Sequence, residues 1–185
     1  MIMPLDLGMR NKYLLLRYLI YIFLLYVLVS CKNSAEKNSV NPQPGENEMV
    51  DLNRYFVRKD RERIQNYIER KNLRMTESPT GLWYQLIKEG EGEIFSDNDQ
   101  VTFDYECSLL DGTKCYSSKE MGPKEIMLGS VAIEAGLNEG IRMMKPGAEA
   151  TFIIPPFLAY GLIGDRKLIP PRAVIVYNVY ILESK

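Results

Sequence analysis

The spacing of apolar positions changes several times along this 185-residue chain. Residues 13–30 are dense in Leu, Ile, Tyr and Val, and within that run only Arg17 carries a charge. From Lys32 to Met49 apolar residues almost vanish, and Asn, Ser, Glu, Pro and Gly take over. Such a segment buries too little surface to order itself and reads as a flexible tether. Leu52, Phe56, Ile64, Tyr67 and Ile68 then recur near helical spacing, which predicts an amphipathic helix over 51–75 with Asp51 or Asn53 as its N-cap. Beyond Gly81 the pattern becomes that of strands: Leu82–Lys88, Gln100–Leu110, Glu149–Ile154, and a last one alternating over Val174, Val176, Val179 and Ile181. Asp111-Gly112 signals a hairpin turn that needs positive φ. One helical pattern interrupts the strands, Ile133–Met144, with Leu137, Ile141 and Met144 on one face and Lys145-Pro146-Gly147 ending it. The prediction is an α+β fold, an antiparallel sheet wrapped around one short helix and preceded by an amphipathic one.

Composition removes several kinds of chemistry. The formal charge is −1, so nothing global points to nucleic acid. The chain has no histidine, which excludes the commonest general base and every Ser-His or Cys-His nucleophile pair. Its three cysteines cannot build a Cys₄ zinc site, and no metal or cofactor is called for. Over Asp51–Met75 eight Lys/Arg face four Asp/Glu; both signs are interspersed, which favours a solvated helix face over a membrane or acidic partner. Cys107 and Cys115 flank the hairpin. A two-residue turn would put them out of register on opposite faces and a three-residue loop would bring them opposite each other; two separate buried thiols are favoured over a disulfide.

The first thirty residues read as an address. Arg10 and Lys12 precede an apolar run from Tyr18 to Val29 that is short for a bilayer span. The run ends in Leu28-Val29-Ser30-Cys31, which resembles the bacterial lipobox, whose cysteine is acylated and becomes the new N-terminus. An uncleaved signal-anchor helix is the competing reading. Lipidation at Cys31 would anchor the chain to a membrane rather than thread it through. Lys32 at the following position leans toward the outer membrane, facing the periplasm. The expected organisation is a lipoprotein signal peptide over 1–30, a tether over 31–50, a helix over 51–75 and one domain over 76–185.

Thr151–Leu182 carries the strongest motif: a strand, Ala159-Tyr160-Gly161, a loop from Asp165 to Ile169, then Pro170-Pro171 and a closing strand. With Tyr105, Asp111-Gly112 and Met127-Leu128-Gly129 upstream in matching order, this resembles the FKBP-type peptidyl-prolyl isomerases over about residues 81 to 185. The resemblance implies rotation about X-Pro bonds, against a barrier of ~18–20 kcal/mol set by amide resonance. A dry apolar pocket disfavours the planar amide more than the twisted one, and needs no acid or base. Carried over position by position, the resemblance makes Tyr105, Ile133, Leu137, Tyr160, Ile169 and Tyr177 the catalytic pocket. Tyr160 would donate to a substrate carbonyl, and Leu168 would add rim surface. Taken singly, Tyr105, Leu137 and Tyr177 also fit ordinary core packing.

The chain departs from the family at several positions. Cys115-Tyr116 stands where Phe-Asp is usual, so Tyr116 puts a hydroxyl in place of a pocket carboxylate. Lys124 stands where an aromatic is common. Glu134 replaces an aliphatic residue whose backbone N–H binds a ligand carbonyl, a donor that survives the exchange. This set is similar to that of gliding-motility-associated FKBP-type lipoproteins. The implied function is isomerisation of proline-containing exported polypeptides; the alternative is a catalytically weak proline-peptide binding module or chaperone in an envelope or gliding-motility complex. In some relatives a comparable N-terminal helix dimerises, so a homodimer through that helix is a further expectation.

Overall fold

The computed structural model describes residues 45–182 except 131, together with Arg17 and Leu19. The expected signal peptide, the lipidation site Cys31 and most of the tether lie outside the described residues. Among the described residues no helix is long and apolar enough to cross a membrane.

Helix α1, Glu46–Lys71, starts earlier than the sequence pattern suggested. Asp51 and Asn53 are therefore interior positions rather than caps, and Asp51 reaches forward to Arg54 at 3.4 Å. The remaining elements are β1 (Thr76–Glu77), β2 (Trp83–Lys88), β3 (Gln100–Leu109), β4 (Lys114–Ser117), α2 (Ser118–Met121), β5 (Lys124–Met127), α3 (Ala135–Ile141), β6 (Glu149–Ile154), a 3₁₀ turn (Pro156–Leu158) and β7 (Ile175–Ile181). The strands form one seven-stranded sheet in the order β1-β2-β6-β7-β3-β4, with β5 also on β3. Every pairing is antiparallel. The α+β prediction therefore holds, and α3 is the short helix against the sheet.

One face of the sheet carries the main core, where Phe103, Cys107, Leu137, Ile141, Phe152, Ile154, Tyr177, Val179 and Ile181 are buried together. The predicted alternation along β7 fails in an informative way. Ile175, Tyr177, Val179 and Ile181 belong to the main core, whereas Val174 and Val176 are buried in a second cluster with Ile64 and Ile153. Adjacent residues of a strand point to opposite faces. The apolar positions therefore switch parity because the opposite face is also covered, by α1. Tyr67 and Ile68 of α1 pack against that second cluster, while Leu52 stays exposed.

A polar contact joins α1 to the loop before β7. The buried Asp60 carboxylate accepts from Arg172 at 2.7 Å, and the Arg172 guanidinium lies 3.8 Å from the centre of the Phe56 ring. Arg172 also donates its backbone N–H to the Gly161 carbonyl at 3.1 Å, so this loop is closed at both ends. The charge at position 60 thus faces a partner, where the sequence suggested solvent.

Between β3 and β4, Gly112 (φ 91) ends a three-residue loop, and Leu109 N–H donates to the Thr113 carbonyl at 2.9 Å. Cys107 faces Tyr116 across the pair, and a bulge next to Cys107 skips Cys115 in the register. Both thiols end up buried and free, as the reading of two separate thiols requires. The three-residue loop does not bring them opposite each other, because the bulge shifts the register.

Candidate functional site

Four tyrosines line one cavity of about 300 Å³: Tyr105 from β3, Tyr116 from β4, Tyr160 from the turn after β6, and Tyr177 from β7. Three of them are brought there by strand register. Tyr105 and Tyr177 sit on neighbouring strands, with ring centroids 6.0 Å apart. Tyr116 is opposite Cys107, which in turn is opposite Tyr177, so one row across three strands builds one wall. Lys124, Lys167, Asp165 and Met121 complete the lining.

The other expected residues take different places. Leu137 and Ile169 are fully buried in the main core, and Ile133 packs against it. Leu168 is 54% exposed, as rim surface would be. Tyr105, Tyr116, Ile133 and Tyr160 all pack on the same buried cluster that contains Leu137, Ile169 and Tyr177. The apolar part of the site is thus continuous with the core.

Two carboxylates organise the tyrosines, and the sequence indicated neither arrangement. Asp165 opens the flap loop and accepts the Tyr116 hydroxyl hydrogen through Oδ2. Its other oxygen accepts from the backbone N–H groups of Lys167 and Ile169, both at 2.8 Å. An aspartate that bonds the backbone two residues on is an Asx turn, and Asp at the head of a short loop is the signal that could have found it. A carboxylate thus reaches Tyr116 from across the cavity. Burial pulls the Asp165 carboxyl upward, but these donors outweigh it and hold it below its ordinary value.

Glu134 is the second. Its side chain, 6% exposed, turns into the cluster instead of outward. Oε1 accepts from the hydroxyls of Tyr160 and of Tyr177, the latter at 3.2 Å, and Oε2 stands 3.4 Å from Lys124 Nζ. Burial again pushes this carboxyl up, while Lys124 and the two phenols bring it below its ordinary value. Glu134 was expected to contribute a backbone donor; the structure adds a charged side chain. No local pattern signals this, because Lys124, Tyr160 and Tyr177 come from distant parts of the chain.

The phenols answer in the opposite direction. The bond to Asp165 pushes Tyr116 up to about 12. Burial raises Tyr160 and Tyr177, and the Glu134 charge raises both further. Burial also raises Tyr105. A group with a raised folded pKa stabilises the fold below its unfolded value, and that contribution is lost as pH climbs to the folded one. For Tyr116 the window runs from 10.0 to about 12. The urea midpoint should therefore fall over that window, and less steeply in Tyr116→Phe; equal slopes in the two chains would contradict the assignment.

A cavity with aromatic walls, a tyrosine in the turn after β6 and a buried isoleucine before Pro-Pro can hold a prolyl ring and its carbonyl. The family pattern for FKBP-type peptidyl-prolyl cis-trans isomerases matches residues 92–182. The probable FKBP-type isomerase FkpA of Neisseria meningitidis is 41% identical over 105 residues, which is 56% of this chain and 38% of that protein. The FkpA of Escherichia coli is 38% identical over 109 residues, 58% of this chain and 39% of its own length. The crystal structure of that FkpA superposes with a TM-score of 0.60 at 28% identity, covering 73% of this chain and 63% of that one. The N-terminal domain of FKBP42 from Arabidopsis thaliana gives 0.55 at 29% identity, covering 60% and 91%. The chain thus spans about two fifths of the length of these curated relatives. Over the matched region, from ahead of β3 to just past the end of β7, residues 92–182 of this chain carry the pattern of the FKBP-type peptidyl-prolyl cis-trans isomerase family.

Proposed function

We propose that the chain is a prolyl cis/trans isomerase that assists the folding of proline-containing exported polypeptides. The carrying observation is the tyrosine-lined cavity, with Tyr160 at its edge and Ile169 buried beside it in the core. In this reading Tyr105, Ile133, Leu137, Tyr160, Ile169 and Tyr177 form the reacting pocket. Tyr116 and Leu168 contact the flanking peptide, and the Glu134 backbone N–H holds a substrate carbonyl. Residues 76–185 carry this activity, the helix Glu46–Lys71 supports it, and the residues between Cys31 and that helix tether it. Cleavage after residue 30 and acylation of Cys31 place it in a bacterial envelope, on the outer membrane facing the periplasm. The N-terminal half of α1 leaves Met49, Val50, Leu52 and Tyr55 exposed, which supports pairing of two chains through that helix.

A second reading has a specific observation behind it. The Tyr160 hydroxyl is already bonded to Glu134, so the pocket suits holding proline segments better than turning them over quickly. In that reading the chain is a weak binding module or chaperone of an envelope or gliding-motility complex.

Protease-coupled isomerisation of a Leu-Pro peptide by the full-length chain, beside Tyr160→Phe, separates the two. Loss of one carbonyl hydrogen bond is worth ~1.4 kcal/mol, or about tenfold in kcat/KM. Acceleration that falls by that factor is expected. A folded chain that binds the peptide without accelerating it would establish the binding module.

A further inference from the structure

A phenol carries a single hydrogen to donate. That of Tyr160 is given to Glu134 Oε1, an acceptor that also takes the Tyr177 hydroxyl and whose partner oxygen faces Lys124. The carboxylate sits at the N-terminal boundary of α3, where Glu134 precedes Ala135. It is held by three groups from three places: Lys124 at the start of β5, Tyr160 after β6, and Tyr177 within β7.

We propose that Glu134 is the rate- and affinity-setting residue of this pocket, a built-in competitor whose carboxylate occupies the Tyr160 hydroxyl until an entering peptide carbonyl displaces it. The proposal rests on the prolyl-peptide reading of the site. The geometry supports competition rather than simple scaffolding, because Glu134 keeps Tyr177 and Lys124 when Tyr160 lets go. The carboxylate therefore needs no new partner for the exchange to occur, and the flap side of the cavity is the part that changes. An ionised acceptor holds a donor about twice as firmly as a neutral carbonyl does, so the exchange is uphill for an ordinary peptide. The pocket is consequently slower and weaker than its aromatic walls alone would make it. An aliphatic residue at 134 removes the competitor and leaves the Tyr160 hydrogen free.

The test uses the full-length chain, Glu134→Ile, Tyr160→Phe and the double variant. Each is titrated with a Leu-Pro tetrapeptide followed by NMR, and each is assayed for isomerisation. Release of one charge-assisted bond corresponds to about ten- to hundredfold. Glu134→Ile should bind the peptide more tightly by that factor, and Tyr160→Phe should erase the gain. A merely structural role for Glu134 would produce no gain, and no gain that depends on Tyr160.

Unchanged or weaker binding by a folded Glu134→Ile overturns the proposal, even where the wild type proves an isomerase. Tighter binding with no acceleration by any chain upholds the competition for the Tyr160 hydroxyl and overturns both the rate-setting role and the enzyme reading. Absence of peptide binding by every chain overturns both. Should Glu134→Ile fail to fold with Lys124 left unpaired, Glu134→Ile/Lys124→Met leaves no stranded charge and is read in the same way.

Discussion

Replacing Gly140 with valine is expected to destabilise the fold by more than ~3 kcal/mol. A Cβ at that position would lie 2.6 to 2.9 Å from three carbons of the Phe152 ring. Phe152 cannot yield, since it is fully buried on β6 between Tyr84 of β2 and Tyr177 of β7. One turn earlier, a Cβ on Gly136 would overlap Ile154 and approach the Leu158 Cβ at 3.1 Å. The two glycines thus form the flat face by which α3 lies directly on the sheet. Overpacking a core costs ~1–3 kcal/mol for extra methylenes, occasionally more. Valine adds three carbons where not one fits, so a loss above ~3 kcal/mol is expected against a total of ~5–15 kcal/mol. Gly140→Ala should lose less, since alanine recovers ~1 kcal/mol of helix propensity. Urea denaturation followed by circular dichroism ranks the three chains, and a wild-type midpoint for the valine variant would refute the close contact.

The second large effect is expected at the flap, with the main core left standing. Gly164 has φ 67, and a Cβ there would overlap the Ile169 carbonyl oxygen and come within 2.7 Å of the Pro170 carbonyl carbon. These are backbone atoms, so no side-chain rotation relieves the clash. Left-handed backbone alone costs a non-glycine residue ~1–2 kcal/mol. The loop would have to open, breaking the 3.1 Å bond from Asp165 N–H to the Ile169 carbonyl. Ile169, only 1% exposed, would then leave the core, which costs a further ~1.5–3 kcal/mol. Gly164→Ala should therefore lower peptide binding and turnover at least about tenfold, since Tyr116 loses its partner Asp165 as well. Hydrogen exchange reads it directly. The amides of Lys167 and Ile169, both held by the Asp165 carboxylate, should lose protection while those of β7 keep theirs. Retained protection at both amides would contradict the argument.

Much of this could be read from the chain. Alternating or apolar runs located β2, β3, β6 and β7 within a residue or two and Asp111-Gly112 marked the hairpin, whereas β1, β4 and β5 had no such run and α3 ends at Ile141, ahead of Lys145-Pro146-Gly147. These signals are local, because turn chemistry and alternation act between neighbours. What escaped depends on partners far away in sequence. Val174 and Val176 broke the parity of their strand, and only α1 on the rear face explains why. Asp60 looked like one of many solvated charges until Arg172, 112 residues later, met it at 2.7 Å. Glu134 looked like an incidental substitution for an aliphatic, and its meaning appears only with Lys124, Tyr160 and Tyr177 around it. In each case the residue was legible, and its partners were fixed only by the tertiary structure.

The strand order has a consequence in time. β7 lies between β6 and β3 and pairs with both along its whole length, yet it is the last described strand to be synthesised. Until Ile175–Ile181 arrives, β3 has only the short β4 and β5 as partners, and β6 has only β2. The rows of Phe103 and Phe152 have no strand between them at that stage. Non-local pairing of this kind delays folding, because loop entropy must be overcome before any contact rewards it. A growing chain of this sequence therefore keeps its sheet open between β3 and β6 until β7 has emerged.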